Sequence, residues 1–213
     1  AHIRLNTSMP SYSAALRPRR VPRQERGERR VASLLDAAEF VIAEHGYEAA
    51  TMSEIADKAG ASIGSLYQFF PSKQAIAQAL RTRYKEAYDR RWLPIERDFA
   101  RLDLSQFASR LMEMAIVFMN NHPASAALLD APRSTRIVGS MVDRVTNFLV
   151  VKKPRMPAKS AARIASVTVQ MVRAFNQAWV EAPAQARTSL KREFHMALVC
   201  YLTTRLKQER GNG

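Results

Sequence analysis

Two short helical segments set close on either side of Gly60 constrain this chain more than any other feature of its sequence. The first starts at Thr51, which opens a T-x-x-E capping box with Glu54. It covers residues 52–59 and turns Ile55, Ala56 and Ala59 inward. Gly60 follows, where a positive φ costs little. Ser62 then caps a second helix, which carries Leu66 and ends near Phe70, before the helix-breaking Pro71. Eight residues separate Thr51 from Gly60, and small Ala56 lets the two helices approach closely, so that Leu66 returns to the same core as Ile55. That is the spacing of a helix-turn-helix. The exposed face of the second helix is left with Ile63, Gly64, Ser65, Tyr67, Gln68 and Phe69. Short side chains at its start permit entry into a groove about 12 Å wide.

A helical period of three and four residues runs through the rest of the chain. From about residue 28 it carries Val31, Leu34, Leu35, Ala38, Val41, Ile42 and His45, and Gly46 stops it as a C′ residue. Ser72 is the N-cap of a long helix predicted to reach Tyr88 or Trp92 and to end at Pro94. Further helices are predicted over 104–121, 123–130, 135–151, 159–182 and 185–210, with a basic, proline-marked loop at 152–157. No segment alternates with a period of two, so the fold class is all-α.

The net charge of +14 over 213 residues suits a polyanionic partner. Its distribution is uneven. Residues 1–30 hold eight arginines and two acids, whereas residues 31–80 hold two lysines and six acids. The helix-turn-helix therefore lies in an acidic stretch, and phosphate attraction must come from its flanks. Residues 1–25 mix arginine with proline and show no apolar period, which fits either an arm along DNA or a solvated tail. Cys200 is the only cysteine, so no intramolecular disulfide and no Cys-based zinc finger can form. It lies in an apolar helical run and is expected to be a buried thiol. No apolar window is long enough for a membrane span, and the first thirty residues lack a signal core, so a cytoplasmic setting is expected. None of His2, His45, His122 and His195 has metal-binding spacing, and there is no glycine-rich phosphate loop or G-x-S-x-G elbow. No enzyme, metal or cofactor is expected.

The run TMSEIADKAGASIGSLYQFFPSK at 51–73, with HGYEA at 45–49 before it, resembles the tetracycline-repressor (TetR) family of transcriptional regulators. The specific resemblance covers roughly residues 28–80. Beyond that only helix number and length are similar. It implies a three-helix DNA-binding domain at 26–73 behind the arm at 1–25, and a larger helical ligand-binding and dimerisation domain at 74–213. By the same resemblance Thr51 and Ser53 anchor the first helix to phosphates. Ser62, Ser65, Tyr67 and Lys73 contact the sugar-phosphate backbone, while Ile63, Gly64 and Gln68 face base edges. Gln68 pairs best with adenine, and Ile63 can touch a thymine methyl. Phe69 stands where the family often has Tyr or His, so a backbone hydrogen bond is missing there.

One short reading helix contacts few base pairs, and two symmetric copies would read a palindrome. The resemblance implies that the two final helices form a four-helix bundle across a homodimer, with Ile164, Val167, Met171, Phe175, Phe194, Leu198 and Tyr201 at the interface. The middle helices would hold a small apolar or amphipathic ligand, with Phe107, Met114, Phe118, Met119, Met141, Phe148 and Trp179 as candidate lining. The expected function is that of a DNA-binding repressor released by its ligand. A charge-driven, weakly specific DNA binder or a ligand-independent regulator remains open at this point.

Overall fold

The computed structural model describes residues 23–129 and 135–208, so all but the last three residues of the arm expected at 1–25 lie outside it. Among the described residues there are nine helices and no strand. They are α1 (Arg23–Ala49), α2 (Met52–Lys58), α3 (Ile63–Phe69), α4 (Lys73–Arg97), α5 (Leu104–Asn121), α6 (Ser125–Leu129), α7 (Thr135–Lys152), α8 (Ala158–Glu181) and α9 (Ala184–Gln208). The boundary drawn after residue 25 falls inside α1, which already begins at Arg23.

α1, α2 and α3 form a small head with the start of α4. Leu34, Ala38 and Ile42 of α1 meet Ile55 and Ala56 of α2, Leu66 of α3 and Ile76 of α4 in one buried cluster. α1 breaks at Gly46, which takes φ 81°, and one further turn carries the chain to Ala49. Glycine reaches that φ at little steric cost.

α4 leads from the head into the larger domain, and it overrides the stop expected at Pro94. The helix continues to Arg97 with Pro94 inside it. Proline sacrifices one backbone hydrogen bond, but Trp92 and Ile95 on either side are both buried, and Phe99 and Leu102 extend the same core beyond the helix end. Tertiary burial outweighs the local penalty. Asp103 caps α5 in a reciprocal box with Gln106, which gives that helix a sharp start.

The large domain is built from α5, α7, α8 and α9 around two clusters. Phe99, Phe107 and Phe148 form the first, with the Phe107 and Phe148 rings stacked at 3.6 Å. The second lies between α5, α8 and α9 and holds Met112, Phe175 and Leu198. The basic loop is partly structural. Lys152 Nζ donates to the Ala100 carbonyl at 2.9 Å and Lys153 Nζ to the Leu206 carbonyl at 2.6 Å. Cations near helix C-terminal carbonyls are favourably placed. Cys200, expected to be buried, is exposed on α9; the apolar run around it presents Leu198 and Leu202 to the core instead.

Candidate nucleic-acid interface and ligand chamber

The helix-turn-helix is set by its caps. Thr51 Oγ1 accepts from the Glu54 amide at 3.2 Å, and Glu54 Oε2 accepts from the Thr51 amide at 2.8 Å. The Thr51 hydroxyl and amide also hold the exposed Glu54 carboxyl below its ordinary pKa. Gly60 turns at φ 57°, the Ala61 amide donates to the Ala56 carbonyl at 2.9 Å, and Ser62 Oγ accepts from the Ser65 amide at 3.2 Å. α3 is thereby locked with Leu66 inward and Ile63, Gly64, Tyr67 and Gln68 outward. Tyr67 is 50% exposed, so the head core does not use its ring. A Cβ placed on Gly64 would meet nothing within 4 Å. Glycine inside a helix costs about 1 kcal/mol relative to alanine, and nothing within the protomer accounts for it here. Thr51, Ser53 and Ser62 are exposed around the same face, and Ser65 is partly covered.

Lys73, implied to contact the sugar-phosphate backbone, is engaged within the head. Its ammonium donates to the Tyr47 and Glu48 carbonyls at 2.8 Å each and lies 4.9 Å from the Tyr47 ring centroid. Two of its three N–H groups are thus spent tying the end of α1 to the start of α4.

Beneath the head a buried polar cluster joins three helices. Glu39 of α1 is only 6% exposed. Its carboxylate accepts from the Tyr84 hydroxyl at 2.8 Å and from the Arg83 guanidinium, and it lies 3.3 Å from His122 Nδ1 at the end of α5. Arg83 also bonds Asp36 at 2.5 Å. Burial, reinforced by the Glu39 charge, raises the Tyr84 hydroxyl well above its ordinary pKa. Burial lowers the His122 ring, against the opposing pull of Glu39. None of Glu39, Arg83 and Tyr84 was foreseen as functional. The available signal was Glu39 itself, an acid four residues after Leu35 inside the apolar stripe of α1.

The rings of that cluster continue into a chamber. Phe118 lies 5.8 Å from Tyr84, 4.7 Å from His122 and 4.1 Å from Tyr88, centroid to centroid. Phe118 and Tyr88 in turn line a cavity of about 480 Å³ between α4, α5, α6, α7 and α8. Met114, Phe118, Met119 and Met141 of the candidate lining are on its wall. Phe107, Phe148 and Trp179 are not: the first two stack on each other in the core, and Trp179 packs on Phe175 at 5.5 Å with the Arg187 guanidinium 5.4 Å from its ring centre. The sequence reading missed Trp92 and Asn176, which both line the cavity. Trp92 Nε1 and Asn176 Oδ1 are buried without a hydrogen-bond partner.

Among the residues expected at a dimer interface, Ile164, Phe175 and Leu198 are fully buried within the protomer, so they cannot touch a second copy directly. Their side of each stripe faces α5 and α7. Val167 is exposed, and Met171, Phe194 and Tyr201 are partly covered. Val180 and Met196 add further exposed apolar side chains on α8 and α9.

Comparison with known proteins bears on both parts of this architecture. Residues 34–80 match the family model described as bacterial regulatory proteins, tetR family, and residues 103–202 match the tetracyclin repressor-like C-terminal domain. The chain belongs to the TetR family. It has the N-terminal helix-turn-helix domain of that family of regulatory proteins and a C-terminal helical domain. Among relatives of the TetR-family chain, the transcriptional repressor KstR of Rhodococcus jostii is 29% identical over 147 residues, covering 62% of this chain and 66% of KstR. The transcriptional activator FasR of Mycolicibacterium smegmatis is 48% identical over 68 residues, covering 32% of this chain and 29% of FasR. The chain thus spans less than two thirds of these curated relatives. The solved structure of FadR from Bacillus subtilis in complex with stearoyl-CoA has the same fold, with a TM-score of 0.58 at 18% identity, over 79% of this chain and 97% of FadR. No helix among the described residues is long and apolar enough to cross a membrane.

Proposed function

We propose that this TetR-family regulator binds a palindromic operator as a homodimer in the cytoplasm and is released from it by a small molecule held in the C-terminal chamber. It acts as a repressor and carries no catalytic activity. The observation that carries the reading is the physical link between an exposed reading face and an internal cavity. Phe118 lines the cavity and packs on Tyr84 and His122, and these meet Glu39 of α1, the helix that supports α2 and α3. A ligand that binds better when α4 and α5 are spread would shift the population toward a spacing of the two heads that misses one half-site.

The DNA-reading surface is that of Ile63, Gly64, Tyr67 and Gln68, with Thr51, Ser53, Ser62 and Ser65 toward the phosphates. The open space at Gly64 supports close approach to a base edge. Lys73 then serves the DNA mainly by fixing the head. The second copy is received on the exposed side of α8 and α9, around Val167, Met171, Phe194, Met196 and Tyr201.

Selection of genomic fragments by the purified protein at about 150 mM salt, where charge-driven binding is already weakened, tests the reading. Recovered fragments are expected to share a palindrome. Fragments with no common motif would favour a charge-driven, weakly specific binder.

A further inference from the structure

We propose that the molecule received by the chamber is uncharged and largely apolar, and carries a hydroxyl group recognised by the Trp92 indole N–H and the Asn176 side-chain oxygen. This rests on reading the chamber as the ligand site.

Trp92 is 2% exposed, yet its Nε1 has no partner, and Asn176 Oδ1 is equally without one. Buried polar atoms are almost always hydrogen-bonded, so each exception calls for an explanation. Of the four such side-chain atoms among the described residues, Arg83 Nε and His122 Nδ1 belong to the Glu39 cluster, whereas Trp92 and Asn176 line one cavity. One is a donor and the other an acceptor. Thr168, also on the wall, is already satisfied, since its hydroxyl donates to the Ile164 carbonyl at 2.9 Å. A hydroxyl both donates and accepts and is the smallest group that serves the indole and the amide oxygen.

The electrostatics exclude an anion. Arg144 packs on the Trp92 ring at 5.8 Å, but its guanidinium bonds Asp89 at 2.8 Å and Glu96 at 2.7 Å, so its charge is spent. Arg173 and Glu181 are the charged side chains among the described lining, and their signs cancel. A carboxylate or phosphate taken into this space would be desolvated among side chains whose formal charges sum to zero. Most of the remaining wall is apolar, with Leu111, Met114, Phe118, Met141 and Val145 beside the polar Ser125, Gln170 and Gln177, and methionines repack readily around an irregular apolar body. The volume of about 480 Å³ suits a drug-sized molecule.

Calorimetric titration of the full chain, free of DNA, with 1-decanol, decyl methyl ether and decanoate tests this. The ether can accept but not donate, and decanoate adds a charge. Decanol is expected to bind about tenfold more tightly than either, the scale of one hydrogen bond gained. Asn176→Leu should bring decanol down to the level of the ether, and Trp92→Phe should weaken both. If Trp92→Phe fails to fold, Asn176→Leu still decides, because Asn176 is only partly buried. Equal binding of the three probes, preference for decanoate, binding of none, or decanol binding unchanged in Asn176→Leu would each overturn the proposal. Operator selection uses no probe, so its failure leaves this order of affinities readable. Decanol that binds in the expected order without releasing operator DNA would count against ligand release and not against the recognition chemistry.

Discussion

The reading head and the chamber are both made of helices, yet they are stabilised in opposite ways. In the head, two seven-residue helices are pinned by caps at Thr51 and Ser62, a turn at Gly60 and a compact core around Leu66. Nearly every polar group near the turn is spoken for by a neighbour close in sequence. In the chamber, helices of 18 to 25 residues meet through side chains far apart in the chain, and two buried polar atoms are left without a partner. The head is built to hold one shape. The chamber keeps unmet hydrogen bonds and flexible methionines, the features that let a second molecule change its balance. Glu39 is where the two meet, a charge of the head bonded to α4 and lying 3.3 Å from His122 at the end of α5 in the C-terminal domain.

The sharpest way to break this contrast is Glu39→Leu. It removes the acceptor of the Tyr84 hydroxyl and one of the two carboxylates on Arg83, and is expected to cost about 3 kcal/mol of stability in urea unfolding. Ligand addition should also release operator DNA less effectively at concentrations that saturate the chamber. Unaltered release would mean that the regions communicate elsewhere. Tyr67→Ala comes next. Its ring is half exposed, so operator affinity should fall about tenfold, or 1.4 kcal/mol, with the thermal midpoint unchanged. Unfolding would place Tyr67 in the core and make the head less modular than argued. Thr51→Ala should cost about 1 kcal/mol, the usual worth of an N-cap, and should weaken DNA binding without affecting ligand affinity measured off DNA.

The smallest effect is a pH dependence at the joint. Burial lowers the folded His122 pKa. Above the unfolded value near 6.5 both states hold a neutral ring and the group is silent. As pH falls below that value the unfolded chain takes up the proton first, so stability declines until the lower folded pKa is passed. The thermal midpoint of His122→Asn should therefore fall less steeply between about pH 7 and 5 than that of the parent chain.

Legibility in the sequence followed the same division. Thr51, Gly60, Ser62 and Leu66 carry their signals within a few residues, and the helix-turn-helix they imply forms as expected. Pro94 shows the limit of such signals: a local stop was overruled because Trp92 and Ile95 are buried against other helices. The candidate lining divided for the same reason. Met114, Phe118, Met119 and Met141 face the cavity, whereas Phe107 and Phe148 stack on each other, and a helical period cannot tell which side of an apolar stripe meets a void. Ile164, Phe175 and Leu198 likewise point into the protomer, on stripes whose outer edge carries Val167 and Met196.

The sequence by itself determined the all-α class, the helix-turn-helix with the exposed face of α3 and the family, because caps, turns and short-range periodicity act between residues that are neighbours in the chain. Only the tertiary structure decided that Lys73 braces α1, that Glu39 joins the head to α4 and α5, and that Trp92 and Asn176 line one chamber with their polar atoms unmet. These facts depend on side chains 25 to more than 80 positions apart. Their meeting is set by how long helices pack, which no local pattern encodes.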